Sequence, residues 1–286
     1  MANLKEIRSR IASVSSTMQI TSAMKMVSAA KLKKAQDAIT AMRPYADTLT
    51  ELLQNLSGSI EDASGSVYAT ERPVQKVLLV AITSNRGLCG GFNSNIIKEV
   101  SAQSVGKYET NQVDVFTIGK KGNDILNKDF SVADNRGDVF EELTFANVAT
   151  VADQLMALYA SGAYDRIDLV YNRFKNAATQ IVTAEQFLPI VPVAAETASN
   201  SDYIYEPAQE EIVSTLIPKA LKTQLFKALR DSFASEHGAR MTAMHKATDN
   251  ATELRDQLKL TYNKARQAAI TNEILEIVGG AEALNG

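Results

Sequence analysis

Apolar positions repeat with different periods in different parts of this chain. Starting at Leu4, steps of three and four reach Ile7, Ile11, Val14, Met18, Thr21, Lys25, Ser28, Leu32, Ala35, Ile39, Met42, Ala46, Leu49, Leu53 and Leu56. Thirteen of these sixteen positions are apolar, in one unbroken register. A 3.5-residue spacing is the seam of a coiled coil. No glycine occurs before Gly58, and Pro44 can bend a helix without ending it. At 1.5 Å per residue, about 54 residues predict a rod of roughly 80 Å. The other end of the chain behaves similarly from about Glu210 to Leu284. There Met244, Ala247, Ala251, Leu254, Leu258, Thr261, Ala265 and Ala268 step by three and four, and Gly279–Gly280 weaken the helix near its end. Each helix must cover its seam. Pairing the two ends of the chain does so antiparallel; a homodimeric coiled coil made from either helix does so as well.

Between the helices the period changes. Val77–Ile82 is an uninterrupted apolar run, as expected of a strand buried on both faces. The glycine-rich turn SNRGLCGGFN (Ser84–Asn93) follows, then a helix through Ile97 and Val100. Val113–Ile118 reads as a second strand, Ala146–Ser161 as a helix, and Arg166–Phe174 and Thr179–Phe187 as two more strands. This alternation predicts a largely parallel sheet covered by helices. Ser57–Glu71 and Ala194–Asp202 are small and polar and read as linkers. The fold class expected is α/β: a long antiparallel coiled coil of the N- and C-terminal helices (1–57 and 209–286) plus a central Rossmann-like α/β domain (73–195).

Charge divides along the same boundaries. The net charge of −3 splits into +4 over residues 1–56, −7 over 57–208 and zero over 209–286. Residues 7–36 hold six basic residues and no acidic one, and Met24–Lys34 reads MKMVSAAKLKK. Met24, Met26 and Val27 fall off the seam, interleaved with four lysines. Such a face suits an acidic protein partner or is simply a solvated charged face. Nucleic acid is a poor partner, because the chain is acidic and residues 1–44 contain no stacking aromatic.

Candidate chemistry is sparse. One cysteine, Cys89, excludes an internal disulfide and a Cys-rich zinc site. His237 and His245 lie eight residues apart on one helix, about 80° around it, which is too far for joint metal ligation. Both read as partly exposed helix residues. The turn Ser84–Asn93 could in principle present backbone N–H groups to a phosphate. It lacks both G-x-x-x-x-G-K-[ST] and G-x-G-x-x-G, so its glycines fit tight turning and close packing better. No catalytic constellation emerges and no cofactor is expected. No apolar run approaches the ~20 residues of a membrane span, and the N-terminal segment carries no secretory signal or transit pattern.

Several segments together resemble one family. ITSAMKMVSAAKLKKAQ (Ile20–Gln36), RPYA (Arg43–Ala46), SNRGLCGGFN (Ser84–Asn93), ARMTAMHKATDNA (Ala239–Ala251) and YNKARQAAITNEILEIVGGAEAL (Tyr262–Leu284) closely resemble the gamma subunits of F-type ATP synthases, bacterial type, from end to end. The resemblance implies that the terminal helices form the central rotor shaft inside a hexamer of alpha and beta subunits. It implies an α/β domain at the foot, beside the epsilon subunit and on the c-ring. Ion flow, of protons or sodium, would turn the shaft and drive ATP synthesis, with catalytic residues supplied by the partners. Position by position, Met24 and Arg240 match residues facing the acidic catch loop of the beta subunit, and Lys25 stands where some relatives have glutamate. Gln267, Thr271 and Glu273, with Arg266 adjoining, match the upper contact with the hexamer. Tyr203, Tyr205 and Glu206 match the foot that meets the c-ring and epsilon. The resemblance also implies a peripheral protein on the cytoplasmic side of the bacterial inner membrane, attached only through its complex. The alternative kept beside it is a stand-alone α/β nucleotide-binding protein with coiled-coil arms.

Overall fold

A computed structural model describes residues 4–57, 67–190 and 209–285. The elements in chain order are α1 (Leu4–Ser57), β1 (Lys76–Ile82), α2 (Phe92–Val105), β2 (Gln112–Ile118), α3 (Lys120–Leu126), β3 (Ser131–Asn135), a 3-10 turn (Gly137–Phe140), α4 (Phe145–Ala160), β4 (Arg166–Phe174), β5 (Gln180–Leu188) and α5 (Gln209–Asn285). The chain divides into two units: Met1–Ser28 with Met241–Gly286, and Ala29–Arg240. Both long helices run through their prolines, Pro44 and Pro218.

The larger unit is built on a five-stranded sheet of order β3-β2-β1-β4-β5. β1 pairs in parallel with β2 and β4, and β2 with β3, whereas β5 pairs antiparallel to β4. β1 is central, and six of its seven residues are buried. Its alternate side chains therefore enter two cores. Leu78, Val80 and Ile82 pack with Val148, Leu155 and Tyr159 of α4 and with Ile217, Leu221, Leu225 and Leu229 of α5. Val77, Leu79 and Ala81 pack with Ile96 and Val100 of α2 and Leu126 of α3. The first stretch of α5 is thus a sheet-covering helix. Steps of four place its leucines on one face, and each is worth about 1.5–3 kcal/mol in burial. α3 and β3 are two elements that the sequence pattern does not announce. α3 is only seven residues long, and β3 alternates exposed and half-buried positions at the sheet edge.

The smaller unit is an antiparallel helix pair within one chain. Thr21 Oγ1 lies 2.8 Å from Thr248 Oγ1. Thr252 Oγ1 donates to Met18 Sδ at 3.3 Å, and Arg8 donates to Tyr262 Oη at 2.7 Å. Residue numbers rise on one helix as they fall on the other, which settles the pairing. On α1 the heptad seam is buried where expected, at Ile7, Thr21 and Ser28. The polar members are satisfied: Thr21 meets Thr248, and Ser28 Oγ donates to Met24 O at 2.8 Å. On α5 the expected register holds at Met244, Ala247, Ala251, Leu258 and Ala265 but fails at Leu254, Thr261 and Ala268. Leu254 is 47% exposed, and Thr261 is exposed. Arg255 and Tyr262 take the places of Leu254 and Thr261, while Thr248 shares the seam with Ala247. Partner geometry decides this, because those three residues reach polar or soft groups on α1 that Leu254 could not use.

Asp168 anchors the N-terminal edge of the sheet in the larger unit. It is 1% exposed on β4. Lys107 Nζ donates to Oδ2 at 2.9 Å and Arg166 Nε to Oδ1 at 2.9 Å, while the Tyr108 hydroxyl donates to Oδ2. Burial, with the Asp168 charge, pushes the Tyr108 phenol well above its ordinary range. The carboxylate fastens the segment after α2 onto the sheet. Replacing Asp168 by Ala leaves two cations and a buried hydroxyl without their acceptor, and the expected loss is about 3–5 kcal/mol. Asp168→Asn, which keeps an acceptor oxygen, should lose less. Urea unfolding of both variants followed by circular dichroism checks the ranking.

Candidate interaction surfaces

Within the helix pair, α1 presents an apolar face that no described residue covers. Ile20, Met26 and Val27 are 60%, 65% and 57% exposed. Ile20, Met24 and Val27 follow one another at four and three residues, so they form a single stripe. Met24, the middle member of the stripe, and Lys25 next to it are half-buried. On α5 every residue from Arg266 to Glu282 is exposed. Arg266, Gln267, Thr271 and Glu273 therefore all project outward, and Thr271 Oγ1 only returns to Gln267 O of its own helix at 2.9 Å. Ile270, Ile274 and Ile277 run along the same segment at 44%, 54% and 66% exposure. A solvated helix end does not usually carry such a stripe. Tyr203, Tyr205 and Glu206 lie outside the described residues, as do 58–66 and the expected linker 194–202.

The glycine-rich turn has a different environment. It joins β1 to α2 at the carboxyl end of the sheet, where β1 leads to β2 on one side and β4 lies on the other. Open α/β sheets hold ligands at such a switch point. Here the turn is closed by side chains of its own unit. Asn93 Oδ1 accepts from Ser84 N at 2.9 Å, and Asn85 joins Gly137 O and Lys120 N. Gly90 adopts φ 60° and Leu88 φ 62°. That conformation is easy for glycine and strained for leucine, yet the Leu88 side chain is 65% exposed. Cys89 is buried beneath the turn, with Asn93 Nδ2 3.3 Å from Sγ. Burial pushes the thiol pKa up. Among the described residues no hydrogen bond joins the thiol to a base, so it is not poised as a nucleophile.

α5 supplies the cover. Arg240 is 7% exposed. Its Nη2 donates to Arg86 O at 3.0 Å and Gly87 O at 3.2 Å, and its Nη1 donates to Glu236 Oε1 at 2.6 Å. Nη1 also lies 3.4 Å from His237 Nδ1. A guanidinium only donates, so Nδ1 accepts and the imidazole proton sits on Nε2. That Nε2 is buried and unpaired among the described residues. The expectation of a partly exposed His237 is therefore corrected: it is 5% exposed and packs edge-to-face on Phe233 at 4.5 Å. His245 is exposed, 3.4 Å from Asp249. Burial, with the Arg240 and Lys31 charges, lowers the His237 pKa to about 4. Burial pushes the Glu236 carboxyl up, and Arg240 opposes it. Sequence pattern points to none of Glu236, Ser235 or Asn172. Only the i,i+4 spacing of Glu236 and Arg240 hints at the pair.

Two long helices with uncovered apolar stripes, and an α/β sheet whose ligand crevice is filled from within, define a protein that works by contact with partners. A family model described as ATP synthase matches residues 3–284. An ATP synthase gamma chain of Flavobacterium johnsoniae is 73% identical over the full length of both chains. Those of Cytophaga hutchinsonii and Geobacter metallireducens are 53% and 47% identical, again over both full lengths. The chain belongs to the ATP synthase gamma chain family. Its fold is similar to a central stalk chain of Tetrahymena thermophila mitochondrial ATP synthase (TM-score 0.60, 27% identity, 80% of this chain and 99% of that one). It is likewise similar to a rotor chain of the Euglena gracilis enzyme (TM-score 0.68, 21% identity, 93% and 98%).

The buried imidazole makes stability depend on pH with a definite sign. The folded chain holds His237 neutral down to about pH 4, whereas an unfolded histidine takes a proton near 6.5. The unfolded state then binds more protons across that window, so stability falls as pH drops through it, by up to about 3 kcal/mol. Glu236 acts oppositely, because its raised carboxyl takes up a proton earlier when folded. His237→Gln should abolish the loss between pH 6.5 and 4.5 and leave only the Glu236 trend. Urea midpoints at the two pH values read this out.

Proposed function

We propose that this chain is the central rotor of an F-type ATP synthase, coupling ion flow through a c-ring to ATP synthesis or hydrolysis in a hexamer of alpha and beta subunits. The observation that carries it is full-length identity of 73% to an ATP synthase gamma chain. The similarity to a central stalk chain of Tetrahymena thermophila mitochondrial ATP synthase agrees. The chain is itself non-catalytic in this reading, and the chemistry belongs to the partner subunits. The buried thiol and the filled crevice support that assignment. They also count against the stand-alone nucleotide binder, whose phosphate would need the space that Arg240 occupies. No helix among the described residues is long and apolar enough to cross a membrane. Attachment to the cytoplasmic face of the inner membrane would come through the complex.

The functional division follows 1–57, 73–195 and 209–286: two arms and a foot domain. Met24 and Lys25, beside the exposed Ile20–Val27 stripe, would meet the acidic loop of the beta subunit. Arg266, Gln267, Thr271 and Glu273, with Ile270, Ile274 and Ile277, would bear on the upper hexamer, where partner surface would cover the stripe. Tyr203, Tyr205 and Glu206 would meet epsilon and the c-ring. The Arg240 guanidinium donates inside its own unit, so Met24 and Lys25 carry more of the proposed loop contact.

Recovery of the tagged chain from detergent-solubilised membranes tests the assignment. One copy of the chain with an ATP-hydrolysing alpha–beta hexamer is expected; a homodimer without ATPase refutes it. On that complex, Lys25→Glu places like charges together and should lower ion pumping per ATP hydrolysed by about 5-fold or more. Unchanged pumping removes Lys25 from the loop contact.

A further inference from the structure

The strongest unassigned feature is the filled crevice at the carboxyl ends of β1 and β4. Within the larger unit, residues 235–240 of α5 reach three separate pieces of the α/β fold. Ser235 Oγ donates to Asn172 O of β4 at 2.9 Å, and Asn172 Nδ2 donates to Phe92 O, at the first residue of α2, at 3.1 Å. Gly238 lies so close to the loop between β4 and β5 that a Cβ there would meet Ala177 Cα and O at 3.1 Å. Arg240 forks onto the carbonyls of Arg86 and Gly87, and its Nε points at Gly87 O at 3.4 Å.

The physical character of these contacts differs from that of the leucine face above the sheet. Apolar burial at Ile217, Leu221, Leu225 and Leu229 holds the helix down but is non-directional. Hydrogen bonds to fixed carbonyls are directional and weaken steeply when bent. A buried guanidinium cannot slide off its acceptors without stranding both itself and Glu236. The crevice contacts therefore resist rotation of α5 against the sheet in a way the leucine face does not.

We propose that the switch-point crevice of the α/β fold, which in ligand-binding relatives of the architecture stays open, is here a keyed joint that locks α5 to the domain, with Arg240 as its positioning residue. Rotation imposed on the domain passes to the helix through Arg240, Ser235 and the Gly238–Ala177 contact. This mechanical role rests on the rotor reading above; the joint itself does not. It makes Arg240 an internal key, where the family resemblance assigns it to a partner's loop.

Cys89 reports on the joint, because it is the chain's single cysteine and lies 2% exposed under the turn that Arg240 clasps. The test alkylates the assembled complex with N-ethylmaleimide and follows the Cys89 peptide by mass spectrometry, alongside ion pumping per ATP hydrolysed. Arg240→Ala should speed Cys89 alkylation at least about tenfold, as the turn opens locally, and pumping per ATP should fall. Arg240→Lys keeps a charge beside Glu236 but cannot fork onto two carbonyls, so it should lie between. Gly238→Val leaves the ion pair alone and improves helix propensity, yet wedges the Ala177 loop away. It should also expose Cys89 and lower coupling. Cys89 protection unchanged in both Arg240→Ala and Gly238→Val overturns the joint. So does lost pumping with unchanged protection in Arg240→Ala, which would give Arg240 to a partner contact. A wild-type chain that fails to join a hexamer refutes the rotor reading instead, and the same alkylation series on the full-length chain then still decides the joint.

Discussion

Burial of one face of α5 against the sheet is the interaction on which the larger unit rests. Ile217, Leu221, Leu225 and Leu229 complete the core that β1 and α4 would otherwise leave open. Without them, Leu78, Val80 and Ile82 would face water on a strand with no solvent-tolerant side. The helix that closes the sheet continues into the stretch that pairs with α1. One covalent element therefore serves as a wall in one unit and as half of a coiled coil in the other. Its surface chemistry changes accordingly. Leucines spaced by four dominate where it meets the sheet, and alanine, threonine and methionine where it meets a helix. Small seam residues such as Ala251 let two helices approach closely, while Thr21 and Thr248 replace apolar contact with a hydrogen bond worth about 0.5–1.5 kcal/mol.

The polar cluster on residues 235–240 is energetically unlike either stretch. Burying Arg240 and Glu236 costs several kcal/mol of hydration, offset only when donors and acceptors are well matched. They are matched here, since the guanidinium finds a carboxylate and two carbonyls. His237 bears a remaining cost, since its Nε2 has no partner among the described residues. An apolar plug would hold the turn with less desolvation. What a polar key adds is a single geometry, because its bonds are directional where hydrophobic contact is not. The strained φ of Leu88 fits the same account: a turn fixed from several sides can hold a non-glycine residue in the left-handed region.

How much of this was legible beforehand depends on where the determining contact lies. The α1 seam could be read because each heptad position repeats locally, and Ile7, Thr21 and Ser28 are buried where the register puts them. The α5 seam could be read as far as Ala251 and after that only at every second step. Leu254 looks like a seam residue, but Arg255 carries the position, because Met18 on the partner helix offers a soft acceptor. Strand β1 was visible as an apolar run, whereas β3 was not, since an edge strand of five residues leaves little periodic signal. His237 looked exposed because nothing local distinguishes it from His245. It is buried beside Phe233 and Arg240 of its own helix, and Arg240 in turn is held by a turn some 150 residues away. The same long-range closure hid the roles of Ser235 and Asn172. The surfaces at Met24, Lys25 and Arg266–Glu273 came through likeness to a family, since periodicity shows only that residues are exposed and not what meets them.

Absence of bulk is the last constraint, and it links the arms to their proposed setting. Residues 1–44 and 234–261 contain no aromatic side chain. A packed core profits from aromatics, which bury about 150–250 Å² each, so their exclusion from these stretches of the two long helices favours a thin pair, where they pair, over a stable one. The pairing compensates with hydrogen bonds and thioether contacts at Thr21, Met18 and Arg8. Beyond Ala265 the α5 surface is exposed on every side and still carries isoleucines. A free helix gains nothing from that stripe, whereas a helix end enclosed by a surrounding sleeve would bury it all round. Slimness, an unpaired apolar end and a polar key at the domain are separate features of the sequence. A shaft that must turn inside a sleeve has use for the first two, and the polar contacts of residues 235–240 belong to the larger unit by itself.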